Sequence, residues 1–428
     1  MTSVLLAPPA TQAPLVQRLA NGLTVVAQQL PIEVVSFNLW LRAGSALEPD
    51  ALNGVAHFLE HMVFKGTPNL PPGEFERRIE QHGALTNAAT SHDYTHYYIT
   101  TTPQDFADLA PLQLEVVLKA SLEAADFERE RPVILEEIRR AADSAGRRTY
   151  RRAMATCFQA LPYQRPVLGT AATVAALPLE ALRQFHARWY RPEGMTVAVV
   201  GNLPAAAMVT AVAAAGEMWE PEPLSSPEPR PTWEPEPPFT TILRSDAVDP
   251  QLHQARLIAL WRVPGLVNLE ETYALDVLGA ILGSGRLSRL HRDLREERRL
   301  VQSIGATNIT HYWQGVFYIA AQLPSEQIGA VEAAIATHLR RCQEEPVAEA
   351  DLERIRTQVA NRFIFSNESP GERASLYGYY QSQLGDLAPA LEYPERVRAV
   401  TAADVQAAAQ RYLNPEAYGL ITARPPAC

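Results

Sequence analysis

HARWYRPEGMTVAVVGNLP (residues 186–204) and AQRYLNPEAYGLITARPP (residues 409–426) close two stretches of the chain in the same way. In each, a helix-like segment runs into a proline and an apolar strand follows. Arg188, Pro192 and Glu193 match Arg411, Pro415 and Glu416 at one offset (411 − 188 = 223). Between the two halves lies EPEPLSSPEPRPTWEPEPPF, residues 220–239, dominated by proline and glutamate. Such a segment is extended and semi-rigid and carries no core of its own. A repeated ending on either side of a central linker predicts a duplicated domain. The expected units are residues 1–219, the linker 220–239, and residues 240–428.

Working outward, strand-like runs are GLTVVAQQ, SFNLWLRAG, YTHYYITTT, MTVAVVG, ARLIALWRV, GVFYIAAQL and YGLITA. Helical patterning covers 103–122, 130–144, 174–188, 269–283, 327–342 and 350–365. Strands arrive in groups and do not alternate strictly with helices. That predicts an α+β fold: two related domains, each a mostly antiparallel sheet with helices packed on one face.

The chain has 428 residues, 47% of them hydrophobic, and a formal net charge of −10. That length supports two domains with proper cores. The acidic balance argues against a general nucleic-acid binder, which needs a basic face, and suits basic or neutral partners. Cys157, Cys342 and Cys428 are too few and too scattered for a disulfide framework. The expected setting is therefore a reducing, soluble compartment such as the cytoplasm. No run approaches the roughly twenty apolar residues of a membrane span. The opening MTSVLLAPPATQAPLVQRLANG lacks the basic start and long apolar run of a secretory signal.

GVAHFLEHMVFKGT, residues 54–67, sets His57, Glu60 and His61 into an otherwise apolar run. Asn53 reads as an N-cap and Gly66 as a terminator, so the segment should be a helix. At about 3.6 residues per turn His57 and His61 stack one above the other, with Glu60 beside them. A polar stripe on a core helix needs partners, and a metal ion would supply them. Backbone-bonded core histidines would explain one such residue, but they explain the whole H-x-x-E-H pattern less well. Two imidazoles at i and i+4 can bind one Zn²⁺, and a carboxylate between them is placed to work on water.

A catalytic zinc usually takes three protein ligands, so two histidines leave one to find. Acidic candidates lie in ERERPVILEEIRR, residues 128–140. Pro132 fits the first turn of a helix, which should then begin near Glu130. Glu130 and Glu137 share a face, whereas Glu136 points about 100° away from Glu137. H-x-x-E-H is the inverted zincin signature. Followed at 76 positions (137 − 61) by a glutamate in a V-I-L-x-E context, it resembles the pitrilysin/insulinase family of zinc metallopeptidases. The similarity is greatest to the mitochondrial processing peptidase-like branch and its bacterial relatives of single-half length. The resemblance implies one Zn²⁺ per chain held by His57, His61 and Glu137. It further implies Glu60 as general base and Glu130 as a carboxylate orienting the site.

GALTNAATSHDYTHYY, residues 83–98, reads as a hairpin whose first strand has small side chains at Asn87, Ala88, Ala89 and Thr90. Its backbone would be accessible to an extended peptide adding at a sheet edge. A plain hairpin with small packing residues would read the same way. The run resembles the family's G-x-x-x-N-A-x-T segment, which implies peptide binding along Leu85, Thr86, Asn87, Ala88, Ala89 and Thr90. His92 and His96 are also four apart. On a strand that spacing is about 13 Å, too far to share an ion.

Family members of this type close a chamber from two halves. The opposite half supplies an arginine and, seven residues on, a tyrosine. In SRLHRDLREERRLVQS, residues 288–303, Arg295 falls on the arginine position and Gln302 on the tyrosine position. The resemblance thus implies either a homologous second subunit carrying an intact pair or a homodimer in which Gln302 substitutes. The activity it implies is hydrolysis of short or unfolded peptides. Two alternatives stay open: a non-catalytic scaffold of the same fold, and an unrelated zinc hydrolase with the same motif.

Overall fold

The computed structural model describes residues 13–217 and 230–426. The start MTSVLLAPPATQ, much of the proline-rich linker (218–229) and Cys428 lie outside the described residues, so the readings placed on them do too.

Among the described residues eleven strands form two sheets. The first holds β1 (Leu15–Arg18), β2 (Thr24–Gln29), β3 (Val35–Leu41), β4 (Leu85–Thr90), β5 (Thr95–Thr101) and β6 (Met195–Gly201). The second holds β7 (Leu243–Val248), β8 (Ala255–Pro264), β9 (Ser303–Ile309), β10 (Gln314–Leu323) and β11 (Gly419–Arg424). The strand orders are β1-β2-β6-β3-β5-β4 and β7-β11-β8-β10-β9. With β1 set aside the two orders match strand for strand, and so do the pairing directions. β6 and β11, the two repeated strands, each run parallel to one neighbour and antiparallel to the other. All seven strand-like runs fall in these sheets, and the class is α+β.

Each half's own helices cover one face of its sheet, burying Val25, Phe37, Leu39 and Val197 in the first and Leu257, Trp261 and Phe317 in the second. Every residue of β3 and β6 is buried, so the first sheet must be covered on both faces. The cover on its second face comes from the other half. Helix Pro370–Leu384 lays Ala374 and Tyr377 on Val26, Ala198 and Val200. Gly378 allows the approach: a Cβ there would stand 2.2 Å from the Trp40 ring. The exchange is reciprocal. Helix Ala145–Cys157 of the first half sets Met154 and Cys157 against Leu260 and Ile421 of the second sheet. The two sheets are thereby locked by one donated helix each.

Several helix boundaries differ from expectation. The reading 174–188 is two helices, Ala171–Ala176 and Leu179–Trp189, parted at Leu177 and Pro178. The reading 103–122 shortens to Phe106–Leu118. The helix carrying Pro132 runs from Ala124 to Asp143 and so begins well before Glu130. Phe127 stacks on Phe58 at 4.6 Å, and the Arg131 guanidinium lies 4.5 Å from the Phe127 ring. Tertiary packing thus holds the turn that the proline weakens. Asn53 is not the N-cap of helix Val55–Met62; that position is Gly54, at φ 104°.

Cys157 and Cys342 are free and buried, and burial pushes the Cys157 thiol up to about 12. Among the described residues no helix is long and apolar enough to cross a membrane.

Candidate metal centre

Helix Val55–Met62 is pinned by a carboxylate absent from the motif. Glu48, 4% exposed, accepts from the Gly54 and Ala56 amides at 2.9 and 2.8 Å, and from Asn53 Nδ2 at 2.8 Å. These amides are unpaired donors of a helix N-terminus, so Glu48 performs the capping expected of Asn53. Val55, Phe58, Leu59 and Met62 are buried in the first core, which fixes the helix rotation. His57 and His61 then emerge on one side, with ring centroids 4.8 Å apart.

Helix Ala124–Asp143 runs past this side and presents Glu137. Glu137 Oε2 lies 3.5 Å from His57 Nε2 and 3.6 Å from His61 Nε2. The three residues each turn one donor atom into a space where all lie within 4.8 Å of one another. The two Glu137 separations fit zinc. Ligands about 2.1 Å from a tetrahedral centre stand about 3.4 Å apart. Two turns earlier on the same helix, Glu130 Oε1 meets His61 Nδ1 at 2.9 Å, and its other oxygen meets Lys65 Nζ at 2.7 Å. A proton held on Nδ1 by Glu130 leaves the Nε2 lone pair facing Glu137.

The electrostatics agree with a cation site. Burial, with His61 close by, brings the His57 pKa down to about 4, so this imidazole stays neutral. Burial alone would lower His61 too, but Glu137 and Glu130 outweigh it and raise its pKa. His61 chiefly holds the Glu137 carboxyl below its usual range. Glu60 differs: burial raises its pKa, while a hydrogen bond from Thr90 Oγ1 at 2.5 Å opposes the rise.

Thr90 is the last residue of β4, the edge strand of the first sheet. Leu85, Asn87 and Ala89 point to solvent, and among the described residues the outer backbone edge of Leu85–Thr90 has no strand neighbour. His96 lies inside β5 with burial lowering its pKa to about 4, whereas His92 sits in the preceding turn. That pair shares no site. Glu136 turns away and pairs with Arg139 and Arg140.

Arg295 is not brought to this cluster. It lies in the second half, on the short helical segment His291–Glu297, with its Nη1 2.9 Å from His291 Nε2. Gln302 precedes β9 and is exposed, its backbone amide donating to Gln322. Among the described residues no contact joins either one to His57, Glu60, His61 or Glu137. Three residues of the site escaped sequence reasoning: Glu48, Lys65 and the Thr90 hydroxyl as a partner of Glu60. Lys65, four positions after His61 on the same turn face, carried a detectable signal.

Residues 24–171 match the family profile described as "Insulinase (Peptidase family M16)" and residues 176–359 the one described as "Peptidase M16 inactive domain". The chain belongs to the M16 peptidase family. An M16 relative from Rickettsia bellii, an uncharacterized zinc protease, is 27% identical over 94% of this chain and 95% of its own. Another, an uncharacterized zinc protease from Streptomyces coelicolor, is 30% identical over 92% of this chain and 86% of its own. Among solved structures, a protease from Helicobacter pylori superimposes with a TM-score of 0.90 at 25% identity, covering 97% of this chain and 100% of the other.

Proposed function

We propose that this M16 chain is a zinc-dependent endopeptidase acting on short or unfolded peptides. One observation carries the reading: His57, His61 and Glu137 turn donor atoms within 4.8 Å of one another, with Glu60 on the same helix. His57, His61 and Glu137 would hold one Zn²⁺, and a bound zinc ion supplies Lewis-acid polarisation of water and of the peptide carbonyl. Glu130 orients His61, and Lys65 orients Glu130. Glu60 takes a proton from the attacking water and returns it to the leaving amine. Its raised pKa suits both duties better than an ordinary carboxylate's. The peptide lies along Leu85–Thr90 by main-chain hydrogen bonds to the free edge of β4.

The proposal includes a second, homologous subunit of the processing peptidase-like kind. Its support is that Arg295 lies in the second half, away from the cluster, with Gln302 where the resemblance implies tyrosine. A partner's arginine–tyrosine pair would complete the site; in a homodimer Arg295 and Gln302 would have to serve. The test is peptide cleavage by zinc-loaded wild type and Glu60→Gln, alone and with any subunit recovered from the native source. Glu60→Gln should keep its zinc and lose cleavage. Full activity in that variant overturns the assigned role.

A further inference from the structure

The segment RRTYRR, residues 147–152, places four arginines on helix Ala145–Cys157. Positions 148 and 152 share one face, and 147 and 151 share the next, turned by about 100°. The two faces do different work. Arg148 forks onto Asp249 at 2.7 and 2.6 Å and reaches Gln251 at 3.0 Å, while Arg152 approaches Ser245. That face docks the donated helix onto the second half. Arg147 and Arg151 form no ion pair with any described residue, although the protein as a whole is acidic.

Both line the mouth of a cavity of about 590 Å³ whose walls include Ile138, Ala141, Met154 and Leu168. Its position follows from the elements that enclose it. Ile138 and Ala141 lie one and four positions after Glu137 on the same helix. Leu168 and Gly169 press on the start of the His57 helix: a Cβ on Gly54 would stand 2.9 Å from Leu168 O, and one on Gly169 2.5 Å from Asn53 O. His92 also faces the cavity, two residues beyond Thr90, where β4 ends. A peptide lying along the edge of β4 and passing Glu60 would therefore meet this cavity next.

We infer that this cavity is a substrate-selecting pocket for an acidic residue flanking the scissile bond, with its methylenes on the apolar wall and its carboxylate between Arg147 and Arg151. An apolar wall under two unpaired guanidinium groups matches glutamate or aspartate and repels lysine. The inference rests on the peptidase reading above for the path of the peptide. Arg147 and Arg151 are specificity residues and touch no reacting atom.

The test separates binding from turnover. A fluorescein-labelled ten-residue peptide set, in which one glutamate or one lysine is moved along a neutral sequence, is titrated by anisotropy against zinc-loaded Glu60→Gln protein. One position should favour glutamate over lysine by about tenfold, the scale of two charge pairs. Arg147→Glu/Arg151→Glu should reverse that order at the same position with zinc content unchanged. The milder Arg147→Gln/Arg151→Gln should abolish it. No acidic preference at any position, or a preference that survives both double variants, overturns the pocket. A preserved binding preference with no cleavage by zinc-loaded wild type would uphold the pocket and refute the peptidase reading.

Discussion

Thr90 Oγ1 donates to Glu60 Oε2 across 2.5 Å, tying the end of the β4 edge to the helix that carries His57 and His61. The edge proposed for peptide and the carboxylate proposed for proton transfer are thus a single mechanical unit. The bond also stabilises the ionised form of a carboxyl that burial otherwise drives towards the neutral form. Removing it with Thr90→Val should raise the Glu60 pKa further. A base must be ionised to act, so the acid limb of the kcat/KM profile should move to higher pH. The expected displacement is about half a unit to one unit, equivalent to one hydrogen bond. A profile that stays put, or moves to lower pH, contradicts the coupling.

Metal content tests the cluster directly. Purified protein should hold close to one zinc per chain by elemental analysis, and His57→Ala or Glu137→Gln should lower that content. Glu130→Gln should leave the ion bound but weaken it about 10- to 100-fold, the usual effect of losing a carboxylate behind a ligating histidine. Equal zinc affinity in all three variants and wild type would dissolve the site.

Glu48 makes stability depend on pH. Burial pushes its pKa from 4.5 up to about 7, against the bonds from Gly54, Ala56 and Asn53. The folded state therefore keeps a proton that the unfolded chain releases. Stability from this group is greatest below 4.5, falls as pH rises from there to about 7, and is level above. The drop is about 3 kcal/mol at 1.36 kcal/mol per pKa unit. Denaturant midpoints of wild type and Glu48→Gln should converge across that window. Parallel pH curves would show that Glu48 ionises freely in its buried position.

Gly378→Ala should destabilise by about 1–3 kcal/mol, because a Cβ 2.2 Å from the Trp40 ring forces helix Pro370–Leu384 off the first sheet. The check is a urea melt with intrinsic tryptophan fluorescence. A change within a few tenths of a kcal/mol would mean that Trp40 rotates away at little cost.

Particular residues show how far the chain could be read without its fold. H-x-x-E-H placed His57, Glu60 and His61 because ligand spacing on one helix is a local property, set by the rise and pitch of the helix. The repeated Arg–Pro–Glu ending marked β6 and β11 for the same reason: a helix stop followed by a buried strand is written in neighbouring residues. Edge strands β1, β7 and β9 went unread. Facing solvent on one side, LRSDAV and SIGATNI lack a clean apolar alternation.

The sequence by itself determined the α+β class, the doubled ending and a histidine pair on one helix, since each depends on residues a few positions apart. Only the tertiary structure decided that Glu48 caps that helix, that Glu137 closes on it from a second helix, and that each half donates a helix to the other's sheet. The physical reason is range. A cap across six residues, a carboxylate 76 positions away (137 − 61) and a ring over Gly378 are contacts between surfaces brought together by burial. No periodicity in the chain encodes which buried faces will meet.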